Sequence, residues 1–126
     1  FDENFFLYLE EIDLCDRLKK KGGRLLLINE EVDHLGGFSH GDRDDLEMEM
    51  SRNWHWMWSK FYYNKKKKGY FISFTINLPI LLNSLLKSIF YKLINNKNKY
   101  LIYKMRFDGM LNSYLLKKSF YRPYKN

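Results

Sequence analysis

In a chain of which 29% of residues are charged, Gly69–Leu86 runs for eighteen positions without a single charge. A run of that length has three ways out of water: a protein core, a membrane crossing or a membrane surface. It sits at the threshold length for a crossing, and Asn77, Pro79 and Asn83 interrupt it. From Asn77 onward the pattern is amphipathic. Leu78, Leu81, Leu82, Leu85, Ile89, Phe90 and Leu93 share one helical face, and Ser84, Lys87, Ser88, Tyr91 and Asn95 share the other. The pattern predicts a helix that starts at Asn77 as its cap, with Pro79 tolerated in the first turn. A second helical pattern follows at Tyr100, Tyr103, Phe107, Met110, Leu111, Tyr114 and Leu115. Two readings stand side by side: a helix lying in a membrane interface, and a helix packed on the rest of the protein.

Charge separates the chain into two parts. Residues 1–50 carry fourteen acidic and six basic side chains, and residues 51–126 carry sixteen basic side chains and one acid, Asp108. Such an asymmetry points to segments with different partners. The basic part joins "RNWHWMWSKFYY" (Arg52–Tyr63) to four lysines, Lys65–Lys68. Lysines beside Trp54, Trp56 and Trp58 suit an anionic lipid surface. Basic and aromatic residues also suit nucleic acid, but no recognition motif accompanies them, so none is expected as a partner.

The acidic part is short on structural staples. Its single cysteine, Cys15, makes no internal disulfide, so nothing argues for an oxidising compartment. The opening from Phe1 lacks the basic start of a secretory signal and suggests a piece of something longer. Leu7, Leu14 and Leu18, with Ile12 and Cys15 between them, predict a helix over Glu10–Lys21 that Gly22-Gly23 stops. Arg24–Ile28 reads as a buried strand, Asn29–Glu31 as a turn and Val32–Leu35 as a second extended piece. His40–Met50 reads as a polar loop.

Two features of this part could carry chemistry. Glu10-Glu11 at a helix start is ordinary dipole compensation, but a helix N-terminus also favours the ionised carboxylate that a general base must be. Asp13 lies three residues from Glu10 on one face, while Glu11 points elsewhere. His34 ends an extended segment just before Gly36-Gly37. A neutral imidazole there suits a divalent metal, and the spacing of Cys15, His34, His40 and His55 is not that of a structural zinc site.

Taken together, "FDENFFLYLEEIDLCDRLKKKGGRLLLINEEVDHLGGFS" closely resembles the C-terminal part of the catalytic domain of family 2 glycosyltransferases. The nearest branch is that of the rhamnosyltransferase-like enzymes of bacterial polysaccharide assembly. The resemblance lies in the lead-in Phe1-Asp2-Glu3-Asn4-Phe5-Phe6, the acidic motif Glu10-Glu11-Ile12-Asp13-Leu14-Cys15, and His34, Gly37 and Ser39 in an H-x-x-G-x-S pattern. It implies an α/β fold: residues 1–50 as the end of a nucleotide-sugar-binding A-type domain, and residues 51–126 as a basic, aromatic helical tail. It implies Glu11 as the catalytic base, in place of the usual Asp, with Glu10 as its neighbouring candidate. It implies His34 as a ligand for Mg²⁺ or Mn²⁺. The D-x-D that holds the donor diphosphate in that family does not occur upstream in these residues, and Asp42-Arg43-Asp44 follows the histidine in a polar loop. Asp13, Gly37, Ser39, Arg52 and Trp54 are the expected substrate-binding positions. The expected activity is inverting transfer of a sugar from a nucleotide-sugar donor to a glycan or lipid-linked acceptor. The expected place is cytoplasmic, peripheral on the inner face of the cell membrane. The contrasting expectation is a non-catalytic peripheral membrane or polyanion-binding module.

Overall fold

Three of the helices in this chain stop in the same way. At each end the residue after the last turn adopts a left-handed conformation, and two backbone N–H groups reach back to the carbonyls that the helix leaves open. Gly22 does this with φ 79°, as Gly23 N–H reaches the Leu18 carbonyl and Gly22 N–H that of Lys19. Asn95 (φ 55°) and Leu116 (φ 58°) repeat the motif without a glycine. The computed structural model describes residues 1–29, 31, 46–119 and 121. They form α1 (Glu10–Lys20), α2 (Leu46–Lys68), α3 (Tyr70–Leu93) and α4 (Lys97–Tyr114).

Short links force α2, α3 and α4 into a layer of neighbours. Only Gly69, at φ 84°, separates α2 from α3. Between α3 and α4 lie three residues, the last of which, Asn96, caps α4 by accepting from the Lys99 N–H at 3.2 Å. Asn64 meets Asn77, so α3 returns antiparallel to α2. Trp54 clusters with Met105 and Phe61 with Tyr114, so α4 runs in the direction of α2. Met57, Phe61, Leu81, Met110 and Tyr114 form the main core, and Trp54, Trp58 and Met105 a second cluster. Gly109 makes the crossing of α2 and α4 close enough to exclude any side chain. A Cβ there would lie 2.2 Å from the Trp54 carbonyl oxygen.

The expected α/β domain does not form. Among the described residues there are four helices and no strand. Arg24–Ile28 is extended but exposed, and no described segment pairs with its backbone. A strand without a neighbour leaves its N–H and C=O groups to water. Leu46–Met50, expected in a loop, begins α2, so a boundary at residue 50 falls inside that helix. Val32–Leu35, Gly36-Gly37 and His40–Asp45 lie outside the described residues.

α3 begins seven residues earlier than expected, and only part of its expected apolar face, Leu78 and Leu81, meets the protein. Ser73, Asn77, Leu81, Ser84 and Ser88 are buried. Leu82, Leu86, Ile89, Phe90 and Leu93 are exposed. Asn77 is therefore no cap. It is fully buried, donates to the Ser73 carbonyl at 2.8 Å and accepts from the Asn64 amide at 3.4 Å. Most of these small polar side chains bond to their own helix backbone, while the Ser73 hydroxyl is buried without a partner among the described residues. The Ser84 hydroxyl donates to the Ile80 carbonyl and the Ser88 hydroxyl to that of Leu85, each at 2.9 Å.

Candidate functional site

The start of α1 is assembled on the outer side of α2. Asp2 opens the segment with a tight turn: its carboxylate accepts from the Asn4 backbone N–H at 3.0 Å, and its carbonyl from that of Phe5 at 3.1 Å. The rings that follow dock in register along α2. Phe5 packs edge-on against Tyr62 at 4.9 Å, Phe6 lies 4.7 Å from His55, and Tyr8 meets Trp56 edge-on at 5.5 Å. The Ser59 hydroxyl donates to the Leu7 carbonyl at 2.7 Å.

The docked segment then turns sharply. Tyr8 (φ 70°) and Leu9 (φ 69°) are both left-handed. For residues with a Cβ this costs about 1–2 kcal/mol each. Strain of this kind persists only where the surroundings impose it, and such residues gather at functional sites. What the turn positions is the acid pair. Leu9 caps α1 with its backbone alone, its carbonyl accepting from Asp13 N–H at 2.9 Å, and its side chain makes no capping hydrogen bond. Glu11 is exposed beside that open helix end. Glu10 is half-buried, and one of its oxygens is buried without a hydrogen-bond partner. Burial pushes the Tyr8 phenol above its ordinary pKa; Arg52 opposes the rise and Glu10 adds to it. The Tyr8 phenol thus lies within the electrostatic reach of both Arg52 of α2 and Glu10 of α1. Arg52 is exposed.

The other acids of α1 are engaged in holding the helix. Asp13 is 4% exposed; its carboxylate meets the Arg17 guanidinium at 2.9 Å and the Lys66 ammonium at 2.7 Å. Lys66 also reaches Asp2 at 2.7 Å. Burial opposes the Lys66 charge, but Asp13 and Asp2 outweigh it and raise its pKa. Burial likewise opposes the Asp2 charge, and hydrogen bonds from Lys66 and Asn4 overcome it, holding its carboxyl well below the usual range. One turn on, Asp16 accepts from the Tyr63 hydroxyl at 2.5 Å and from Lys67 at 2.9 Å. These two bonds lower the Asp16 pKa, and the Asp16 bond leads those that push Lys67 up to about 12.

Trp54 is 2% exposed, stacked on Tyr121 and packed in the second core cluster, which gives it a structural task. Trp58 is equally buried, and its indole N–H donates to the Lys117 carbonyl at 3.0 Å. Of the three tryptophans expected at a lipid boundary, only Trp56 is exposed. His55 is also interior, its ring nitrogens 2.9 Å from the Ser119 hydroxyl and the Tyr121 carbonyl. His34, Gly37 and Ser39 lie outside the described residues. No group of three metal-binding side chains occurs among the described residues, and Asp2, Asp13 and Asp16 each bind a lysine. Those three carboxylates are thus engaged by cationic side chains, and the candidate ligand His34 lies outside the described residues.

Sequence reasoning missed Tyr8 and the Asp2–Lys66 bridge. The lead-in carried a signal for Asp2, since aspartate two residues before asparagine favours a side-chain turn. Nothing marked Tyr8. Comparisons with protein-family models, with curated proteins and with solved structures find no match for this chain.

Proposed function

We propose that the start of α1 supplies the general base of a sugar-transfer reaction. An acceptor hydroxyl, on a glycan or lipid-linked sugar, attacks the anomeric carbon of a nucleotide-activated sugar while Glu11 removes the hydroxyl proton. One such displacement breaks the bond to the nucleotide diphosphate and inverts the anomeric carbon. The observation that carries this reading is the pair of left-handed residues, Tyr8 and Leu9, set directly before Glu10-Glu11. The resemblance of residues 1–39 to family 2 glycosyltransferases supports the same residue. Glu11 stands exposed with no ion pair among the described residues, whereas Asp13 and Asp16 are bound to cations. Arg52, exposed beside Tyr8, is suited to an anionic substrate group. By that resemblance His34 would help to hold Mg²⁺ or Mn²⁺, which would supply charge neutralisation for the departing diphosphate.

The test is transfer of labelled sugar from a panel of nucleoside diphosphate sugars by the natural full-length protein. Glu11→Gln keeps the shape and removes proton acceptance, so turnover should fall by about 10²–10⁴ with donor affinity little changed. Glu10→Gln should do less. Exposed Glu11 holds no part of the fold, so the thermal midpoint should not move. Equal loss from Glu10→Gln and Glu11→Gln, or transfer that survives Glu11→Gln, overturns the assignment.

A further inference from the structure

α3 is built inside out. Its buried residues are Ser73, Asn77, Leu81, Ser84 and Ser88, flanked by partly buried Tyr70, Leu78 and Ile80, and its outer face carries Phe71, Ile72, Leu82, Leu86, Phe90 and Leu93. The outer side chains are strongly exposed: Phe71 by 83%, Leu86 by 65% and Leu93 by 76%. In water this arrangement is upside down, because the leucine face gains from burial and the serine face does not. We propose that the outer face of α3 is the protein's seat on an anionic lipid bilayer, with the helix lying in the plane of the membrane.

The bilayer is favoured over the other occupants by several features. The apolar stripe continues along the whole helix, from Phe71 to Leu93. Its threonine is adapted to a place without water. Thr75 turns its hydroxyl back to the Phe71 and Ile72 carbonyls, at 3.3 and 2.9 Å, so it brings no unpaired donor to that face. The surrounding charge is of one sign. No acid occurs between Gly69 and Phe107, while Lys68 precedes the helix, and Lys87, Lys92, Lys97 and Lys99 lie on its last turns and beyond. A second copy docking on the same face would bring these lysines against lysines. Anionic headgroups neutralise them. At the end of the stripe, Tyr91, Lys92, Asn95, Lys97 and Tyr100 line an open recess of about 160 Å³, furnished with ammonium, amide and hydroxyl groups suited to a phosphate.

Twenty-four residues with one eighteen-residue apolar window meet the length and composition for a crossing. The neighbours of α3 rule that orientation out. Its inner face is packed against α2 and α4, and both carry charges along their length: Arg52, Lys60 and Lys65–Lys68 on α2, Lys97, Lys99, Lys104 and Arg106 on α4. A crossing would draw those charges into hydrocarbon. An in-plane helix sinks only its outer face, about 5–10 Å.

The experiment is flotation of the full chain with vesicles of neutral lipid, alone or mixed with an anionic phospholipid. Binding to anionic vesicles with partial release in high salt is expected. Leu86→Asp should lower the partition coefficient at least about tenfold, since it replaces apolar burial with a charge. Lys92→Gln with Lys97→Gln should lower it on anionic vesicles and leave the neutral ones unchanged. Leu86→Trp should be quenched by lipids brominated on their acyl chains, and Trp in place of Ser84 should not. The Ser84 variant is checked for fold by circular dichroism, and the Leu86 variant carries the result if it unfolds. Failure of the full chain to float overturns the proposal. So does a stable dimer without lipid that Leu86→Asp dissociates, which assigns the face to a second copy.

Discussion

Leu116 ends α4 in a backbone conformation that its own side chain opposes. It sits at φ 58° where Gly22 serves the same purpose for α1, and it is exposed, so little burial offsets the strain. The left-handed penalty for a residue with a Cβ is about 1–2 kcal/mol, and glycine returns about 0.5–1 kcal/mol of that through a freer unfolded chain. Leu116→Gly should therefore stabilise by about 0.5–1 kcal/mol and raise Tm by a few degrees, as calorimetry would show. Loss of stability would mean that Leu116 is covered by something beyond the described residues. Tyr8 and Leu9 pose the same strain in a place where relief should not be neutral, because they aim the acid pair. No glycine, asparagine or aspartate marks that turn, so nothing in the sequence reveals it. The acid pair itself was legible from its position at the start of a helical pattern.

At the scale of elements, α1 was the most readable piece. Its periodicity and Gly22-Gly23 place its end within one residue of the observed Lys20. α3 was half readable. Periodicity finds an apolar stripe but says nothing of what covers it, and Asn77 with Pro79 imitated a helix start that lies at Tyr70. What no local pattern could show is how α1 is held. Its charges meet Lys66 and Lys67, fifty or so residues away, and that makes the docking a matter of pH. Asp2 and Asp16 have folded pKa values below the ordinary carboxylate range. Their contribution is thus present above that range and is lost as pH falls through the folded values. Lys67 is raised to about 12, so its contribution is present below the ordinary amine pKa and disappears as pH rises through about 12. Hydrogen exchange of α1 amides, corrected for intrinsic rates, should show constant protection from about pH 5 to about pH 9. Protection should fall in acid, and Asp2→Asn with Asp16→Asn should remove most of that acid step. An unchanged acid step would place the titrating groups elsewhere.

For the whole molecule, charge misleads if each half is given its own external partner. Part of the acidic half and part of the basic half are each other's partners, through Asp2, Asp13 and Asp16 with Lys66 and Lys67. Among the surfaces that face outward is the lysine-rimmed leucine face of α3. The architecture thus divides into an inner interface, where α4 closes on α2 and α3, and an outer face that no described residue covers. One pair of substitutions separates the two. Gly109→Ala places a methyl group against the Trp54 carbonyl, and a backbone oxygen cannot swing aside as a side chain would. Overpacking of this kind costs about 1–3 kcal/mol, and a protein of this size holds only about 5–15. The crossing of α2 and α4 is the largest contact in the layer, and α4 also covers the serine face of α3. Its loss should therefore lower Tm throughout and shift the emission of buried Trp54 and Trp58 to the red. Leu86→Asp without lipid should stay within about 0.5 kcal/mol of the parent, as an exposed site does. Were Leu86→Asp to destabilise the lipid-free protein as much as Gly109→Ala, the outer face of α3 would be a buried one. The division between inner and outer interfaces would then be wrong.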